Sequence, residues 1–484
     1  MFLAFGQFSP DVADVGTDTL DVARNVYPAS NSWKPFNQPT ARSTSLPSAC
    51  KGLASEPLTS GVFATYAGTT TKLYKFNAST QLWTDVSRVA GGNYATPADG
   101  FWSFAHFGNL LIATNGFDVV QFIDVTVGTN FAALAGSPPT AKHVTIVEDR
   151  VMLAGLTAAP SSIAWSDINN ATVWTPGVGL ADQQAFSSGG NAQAVCSAAR
   201  LVLQERGMRA IIPTGDVTSF QFEEVASAKG ALSARSVIAV GPLAFWLSED
   251  GFYMGNSSEQ RAISANRVTD YFFDKLLRER SYQVTGAADP LATRVYWSYP
   301  TQSTDYNDYI IGYDWSLDKW FEIKFTTYAM AITATAGLTL EELDAFGTLE
   351  TLAFSMDSTT WSGGATYMSL IDQDNKLAYF SGQPMEVTLE TGNVQFAPGR
   401  RVKATWARPL IEGTGGSSAM LEVGRRQRLT DEPAWTVPAS MAASGRIPIY
   451  ASGAYHRFRL VVPAGTIWEH AQGMDVEFAQ EGVR

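Results

Sequence analysis

Six times along this chain of 484 residues a polar turn gives way to an apolar strand, at intervals that are close to regular. The turns are Phe107-Gly108-Asn109 before Leu110, Glu148-Asp149-Arg150 before Val151 and Ala199-Arg200 before Leu201. Gly241-Pro242 before Leu243, Thr293-Arg294 before Val295 and Asp374-Asn375-Lys376 before Leu377 continue the series. Successive anchors are 41, 50, 42, 52 and 82 residues apart, the last interval being twice the first, as if one unit were disguised near residue 336. A unit of this size cannot bury its apolar face alone and must stack on a copy of itself. A period of roughly 40–50 residues with about four strands per unit is the signature of a β-propeller blade. The reading is therefore an all-β chain with a β-propeller-like repeat domain of about six to eight blades. Another multi-sheet β architecture is the alternative, because any antiparallel protein turns every ~8–12 residues.

A second element recurs inside the units: an apolar strand, a polar turn, then a tryptophan. It spans Leu73 to Trp83, Ile163 to Trp174 and Ile310 to Trp320. The Trp is expected to pack where one sheet faces the next. Helical periodicity is rare. The best candidate is Arg267 to Arg280, with Val268, Tyr271, Phe272 and Leu276 on one side and Asn266 as cap. Leu338 to Phe346 is a weaker one.

The repeats divide the chain into an extended, Pro-rich N-terminal arm (1–59), the propeller-like domain (60–384) and a C-terminal domain (385–484). That last domain alternates cleanly, as in Phe458-Arg459-Leu460-Val461-Val462, and reads as β-sandwich-like. The apolar fraction of 45% with 12% aromatics excludes disorder, and no apolar run nears the ~18 residues of a spanning helix. The N-terminus lacks the charged and apolar regions of a signal peptide, so the expectation is synthesis and folding in a cytosol. Net charge is −12, yet residues 385–484 hold 11 Lys+Arg against 10 Asp+Glu, so the acidity lies wholly in the arm and repeats. That balance opposes nucleic-acid binding by charge neutralisation.

Catalytic and metal signatures are missing from the sequence. Cys50 and Cys196 are too few for a metal framework or disulfide scaffold, and read as buried thiols. His106, His143, His456 and His470 show no metal-ligand spacing. Gly189-Gly190, Gly363-Gly364 and Gly415-Gly416 lack the strand-before, helix-after context of a phosphate cradle. Ser355-Met356-Asp357-Ser358-Thr359-Thr360-Trp361 approaches the Ser-x-Asp-x-Gly-x-Thr-Trp turn of sialidase-like propellers. It is one residue short, lacks the central Gly and occurs once. Glu223-Glu224, Glu249-Asp250, Glu341-Glu342 and Asp372 with Asp374 read as solvated faces or turns, since neighbours on a strand point opposite ways. Asp305-Tyr306-Asn307-Asp308 offers oxygens to a hard cation but lacks the calcium-loop pattern, and reads as a turn. The chain is expected to be no enzyme, with no cofactor and no metal. The basic residues Arg425, Arg426, Arg428, Arg400 and Arg401 are the candidate subunit interface, suited to docking an acidic surface.

Several of these residues carry a resemblance. Asn25-Val26-Tyr27-Pro28 followed by Trp33-Lys34-Pro35-Phe36 resembles the opening of tail tube (nozzle) and hub-type stabilisation proteins of short-tailed bacteriophages. Val295 to Pro300, Ile311-Gly312-Tyr313-Asp314 and Lys319-Trp320 are similar to their recurring hairpin, and Leu340 to Leu343 with Trp361 to Gly364 to another segment. Tyr455 to Arg459, Trp468, Gly473 to Val476 and Gly482-Val483-Arg484 are similar to their close. The resemblance implies a structural virion protein of the tail, assembled in the host cytoplasm as a homo-oligomeric ring, usually a hexamer. Its partners would be portal and adaptor proteins above and tail fibre or spike proteins beside it. Double-stranded DNA would pass through it transiently and without specificity, the ring serving as conduit and candidate gate for genome ejection. An acidic lumen would let DNA slide without binding. The alternatives are a cytosolic β-propeller protein-interaction scaffold and a carbohydrate-active propeller of a phage tail.

Overall fold

The computed structural model describes residues 1–480 apart from 14, 17, 58–62, 217, 228, 290 and 335–365. Leu338–Phe346, Ser355–Trp361, Glu341-Glu342, Gly363-Gly364 and Gly482-Val483-Arg484 therefore lie outside the described residues.

Among the described residues, short strands separated by tight turns assemble into seven four-stranded antiparallel sheets, the blades of a β-propeller. Blade one runs from Gly52–Pro57 to Leu82–Asp85, blade two from Ser103–Phe107 to Ala132–Ala133, and blade three from Ala141–Val147 to Asp182–Ala185. Blade four runs from Ala192–Cys196 to Phe220–Ser227, blade five from Ile238–Val240 to Gln260–Ala262, and blade six from Thr285–Asp289 to Lys319–Ile323. Blade seven begins with Thr327–Ala334, Thr366–Asp372 and Leu377–Pro384. The first strands of the blades stand around one axis, and Thr327–Ala334 meets Gly52–Pro57 to complete the circle. There the Ala334 amide donates to Ser55 Oγ at 3.3 Å.

The repeat anchors acquire a structural meaning. Leu110, Val151, Leu201, Leu243 and Val295 each open or enter the second strand of blades two to six. These strands are sandwiched between neighbouring blades, so they are mostly apolar and buried along their length rather than alternating: all seven residues of Arg150–Leu156 are buried. The turns before them use left-handed backbone, with φ of 62° at Gly108, 46° at Glu148, 57° at Asp149 and 52° at Arg200. Leu377 breaks the pattern, because it opens a third strand. The expected hidden unit near residue 336 lies outside the described residues. Thr327–Ala334 pairs directly with Thr366–Asp372, so the strands on either side belong to one blade, and the Leu377 anchor falls one strand late.

Tryptophans mark the contacts between blades. Trp83, Trp174 and Trp320 all belong to inter-blade clusters. Trp320 and Trp83 lie on the last strand of a blade, whereas Trp174 sits in a connecting loop. Indole N–H groups tie three of the interfaces to a backbone carbonyl: Trp102 to Thr69 (2.8 Å) between blades one and two, Trp246 to Lys229 (3.0 Å) between four and five, and Trp297 to Ser236 (2.8 Å) and Trp320 to Ile263 (3.0 Å) between five and six. Gly68 makes room for Trp102, since a Cβ there would stand 2.2 Å from its ring.

The arm is woven into both domains. Asn37–Ala41 is the fourth strand of blade seven, pairing Thr40 with Tyr379 and Ala41 with Ala378. Its Pro39 is tolerated because the strand is at a sheet edge. Leu20–Arg24 lies between blade six and the C-terminal domain, parallel to Lys319–Ile323 and antiparallel to Val387–Thr391. Blade six thereby runs on into one sheet of a sandwich, built from Val387–Thr391, Tyr455–Val462 and Met420–Arg426. The facing sheet holds Val402–Glu412, His470–Gln480 and Ile447–Gly453, with Phe2–Ala4 and Trp33–Pro35 of the arm on His470–Gln480. Tyr455–Val462 alternates strictly between half-buried and buried residues, the pattern of a strand with one face on a core.

The helix forms as Thr269–Lys275, with Val268, Phe272 and Leu276 buried. Asn266 does not cap it. That residue is left-handed (φ 58°), and the first turn is capped from the arm, where the Asp11 carboxylate accepts from the amides of Asp270 (2.9 Å) and Tyr271 (2.8 Å).

Candidate functional site

All seven innermost strands start at the same end of the propeller axis, and two adjoining cavities of about 330 and 280 Å³ open there. Each blade contributes a residue at or just before the start of its first strand. These are Lys51, Phe101, Lys142, Gln193, Arg235, Gln283 and Tyr328. Asp99, Gly100, Phe101 and Tyr282 line both cavities.

The larger cavity has unusual electrostatics. Arg235 sits in the short helical turn Ala234–Ser236 that leads into blade five. Its Nη2 donates to the Tyr328 carbonyl at 3.4 Å, and its guanidinium lies 5.6 Å from the Phe101 ring. Among the described residues it has no ion-pair partner, and burial pulls it down to about 10. Lys51 donates to the carbonyls of Ala98 (2.6 Å) and Pro97 (3.4 Å). Burial foremost, then the charge of Arg235, lowers its pKa. Cys50 is buried, donates to the Gly52 carbonyl at 3.2 Å, and is pushed up by burial to about 11, so its thiol is unreactive at neutral pH.

Asp305-Tyr306-Asn307-Asp308 does not gather its oxygens. Asp305 pairs with Arg280 at 3.1 Å, and Asp308 accepts from the Thr301 amide (2.7 Å) and hydroxyl (2.5 Å). Asn307 is buried, its Nδ2 donating to Ser298 Oγ (2.8 Å) and the Gln283 carbonyl (3.0 Å). The turn reading fits these contacts. Asn307 Oδ1 and Gln283 Oε1 are buried and, among the described residues, without a hydrogen-bond partner.

The predicted basic residues collect at one end of the sandwich. Gly453 pairs with Val402, next to Arg401, and the Arg425 side chain packs close against Gly453 from the facing sheet. Arg400 donates to Gln480 Oε1 at 3.3 Å. Arg425 and Arg428 are exposed and, among the described residues, without an ion-pair partner. Arg426 differs: its Nε donates to Asn393 Oδ1 (2.9 Å) and its Nη1 to the Leu429 carbonyl (2.8 Å), so it is committed to folding its own turn.

Other flagged residues are structural. His143 bridges Ser103 Oγ and the Val195 carbonyl, both at 3.3 Å, and His470 meets Ser32 Oγ at 2.7 Å. Glu223-Glu224, Glu249-Asp250 and Glu148-Asp149 are exposed on outer strands or turns. The seven described innermost strands carry just Glu56 and Asp289 as acidic residues, so the acidity of the repeats is not concentrated along the axis. Among the described residues no group of His, Cys, Asp or Glu is arranged to hold a metal ion, and no helix is long and apolar enough to cross a membrane. Sequence reasoning missed Arg235 and Lys51. Their signal is positional, as residues just ahead of an innermost strand, and needs the blade register to be seen.

No family profile and no curated protein sequence matches the chain. Among solved structures it is similar to a chain of the mitotic checkpoint complex (11% identity, TM-score 0.37, covering 73% of this chain and 96% of that one). It is also similar to the computationally designed Ika8 protein (9%, 0.38, 78% and 100%) and to YCF48 bound to a D1 peptide (11%, 0.39, 73% and 99%). The propeller assignment rests on the strand pairing described above.

Proposed function

We propose that the chain is a structural assembly protein, with propeller and sandwich forming one scaffold for protein partners. More finely, we propose a subunit of the ring-shaped tail tube, nozzle or hub, of a short-tailed bacteriophage. The supporting observation is where the resembling segments fall. The opening segment folds as a hairpin of Val26–Pro28 with Trp33–Pro35, and the closing segment supplies Tyr455–Val462 and His470–Gln480. The two meet: Trp33 pairs with Ala471, on the strand that carries Gly473 to Val476. The sequence most like the phage proteins is thus a single physical unit that fastens sandwich to propeller.

In this reading copies join through the basic sandwich end, with Arg425 and Arg428 meeting an acidic face of the next copy's propeller. DNA passes between copies, because the propeller's own innermost strands are nearly free of charge. Native mass spectrometry and negative-stain imaging at micromolar concentration test it. A closed ring supports the tail-tube reading, and a monomer leaves only the scaffold. Turnover of any member of an oligosaccharide panel would replace both with a carbohydrate-active propeller.

A further inference from the structure

Away from the axis, a cavity of about 510 Å³ opens where four parts of the chain converge: the arm hairpin, blades six and seven, and the loop that enters His470–Gln480. Its size falls within the roughly 300–1,000 Å³ of small-molecule sites. Three half-buried rings, Tyr27, Tyr367 and Phe380, line it together with the buried rings of Phe36, Tyr296 and Trp468. Leu291 joins them and is 68% exposed, a large apolar side chain left in water beside an aromatic surface.

The polar groups of this lining are within reach of solvent and uncommitted. Tyr27 and Lys34 are opposed in the hairpin, so their side chains share a face. Among the described residues the Lys34 ammonium and the exposed Glu469 carboxylate have no ion-pair partner, and no hydrogen bond occupies the Tyr27 hydroxyl or the exposed Asn37 amide. Two acids, Asp289 and Glu469, face two bases, Lys34 and Arg294, and Arg294 is already held by Asp314 (3.3 Å) and by the Tyr27 ring (4.1 Å). A site with no net sign does not select a phosphate or a polyamine. It offers a donor (Lys34), an acceptor (Glu469) and two groups that do both (Asn37 and Tyr27), beside rings that pack on C–H surface. The complement is a neutral molecule whose polar groups each donate and accept around an apolar face, which is the chemistry of a pyranose. A docked peptide would ask for main-chain partners in a row, whereas the free groups here are side chains from separate segments.

We propose that this cavity binds an uncharged sugar unit, with Lys34, Asn37 and Glu469 on its hydroxyls and the aromatic lining on its C–H face. The site is independent of ring formation and stands or falls separately from the tail-tube reading.

The test uses the full chain in calorimetric and saturation-transfer NMR titrations with maltose, cellobiose, lactose and N,N′-diacetylchitobiose. Sodium digalacturonate, whose rings carry carboxylates, and the blocked dipeptide acetyl-Leu-Phe-amide are the comparisons. At least one of the neutral disaccharides should bind, and more tightly than digalacturonate. Asn37→Ala and Glu469→Ala should each weaken that binding about tenfold, the worth of one well-placed hydrogen bond. Both should leave the melting temperature of the ligand-free protein unchanged, because the two side chains are exposed and hold nothing else. The proposal is overturned if no neutral disaccharide binds, if digalacturonate binds best, or if the affinity survives in both variants. Binding of the dipeptide alone would also overturn it, and would make the cavity a docking pocket for a protein partner.

Discussion

Arg24 and Glu322 meet across 298 residues of sequence, with Arg24 Nε 3.3 Å from Glu322 Oε2. Glu322 is fully buried, and its other oxygen accepts from Lys275 Nζ (2.6 Å), Tyr271 Oη (2.8 Å) and Tyr299 Oη (3.2 Å). One carboxylate therefore ties the arm, the helix and blade six together. Glu322→Ala strands two cations and should cost about 3–5 kcal/mol. Glu322→Gln keeps an acceptor and should cost less. Urea unfolding of both variants checks the order.

Deleting residues 1–51 should abolish cooperative melting and yield aggregated protein in size-exclusion chromatography. The deletion removes the outer strand of blade seven and the strand that joins blade six to the sandwich, exposing two sheet edges. A folded, monodisperse truncation would show that the arm is an accessory.

Trp246 is fully buried at the contact between blades four and five, stacked on Tyr253 with ring centroids 5.8 Å apart. Trp246→Phe keeps most of the packing but leaves the Lys229 carbonyl without its donor, for a loss of about 1–3 kcal/mol. Trp246→Ala adds a cavity and should cost about 3–5 kcal/mol. Denaturant midpoints measured at constant m-value separate the two contributions.

Burial pulls His143 down to about 4 from the ordinary 6.5. The folded state thus keeps it neutral while the unfolded chain takes up a proton. Its contribution is fully present above about pH 6.5 and is lost as pH falls toward 4. His456, lowered mainly by burial, adds in the same direction. His143→Gln should therefore show a smaller drop in melting temperature between pH 7 and pH 5 than wild type. An unchanged drop would place the acid sensitivity elsewhere.

Charge reversal divides the arginines of the sandwich end. Arg425→Glu and Arg428→Glu should leave the melting temperature within a degree or two and weaken self-association, read by native mass spectrometry. Arg426→Glu should lower stability instead, since it breaks bonds to Asn393 and Leu429. Intact assembly in the first two would remove these residues from the interface.

The blades were legible because their turns are local: Glu148-Asp149 adopts the left-handed pair its hairpin requires whatever surrounds it. The closure was not. Asn37-Gln38-Pro39-Thr40-Ala41 has no strand pattern, and becomes a strand through pairing with residues more than three hundred positions away. Asn266 was misassigned as a cap because the actual cap, Asp11, is equally remote in sequence. The axial cavity escaped for a related reason. It takes one residue from each blade, so no short stretch of chain contains its chemistry.

That interlocking of the two ends sets an order of events during synthesis. The strand Asn37–Ala41 leaves the ribosome early, yet its partner Leu377–Pro384 is made more than three hundred residues later. Phe2–Ala4 waits longer still, for His470–Gln480 at the far end. Blades one to five can stack as they emerge, but the circle stays open until Thr327–Ala334 and Leu377–Pro384 have been made, with bare sheet edges at both sides of the gap. Contacts of such long sequence separation form slowly, so the nascent chain is most vulnerable to mispairing with a neighbour in that interval, and a holding chaperone acting there should raise the folded yield more than one acting at any earlier stage.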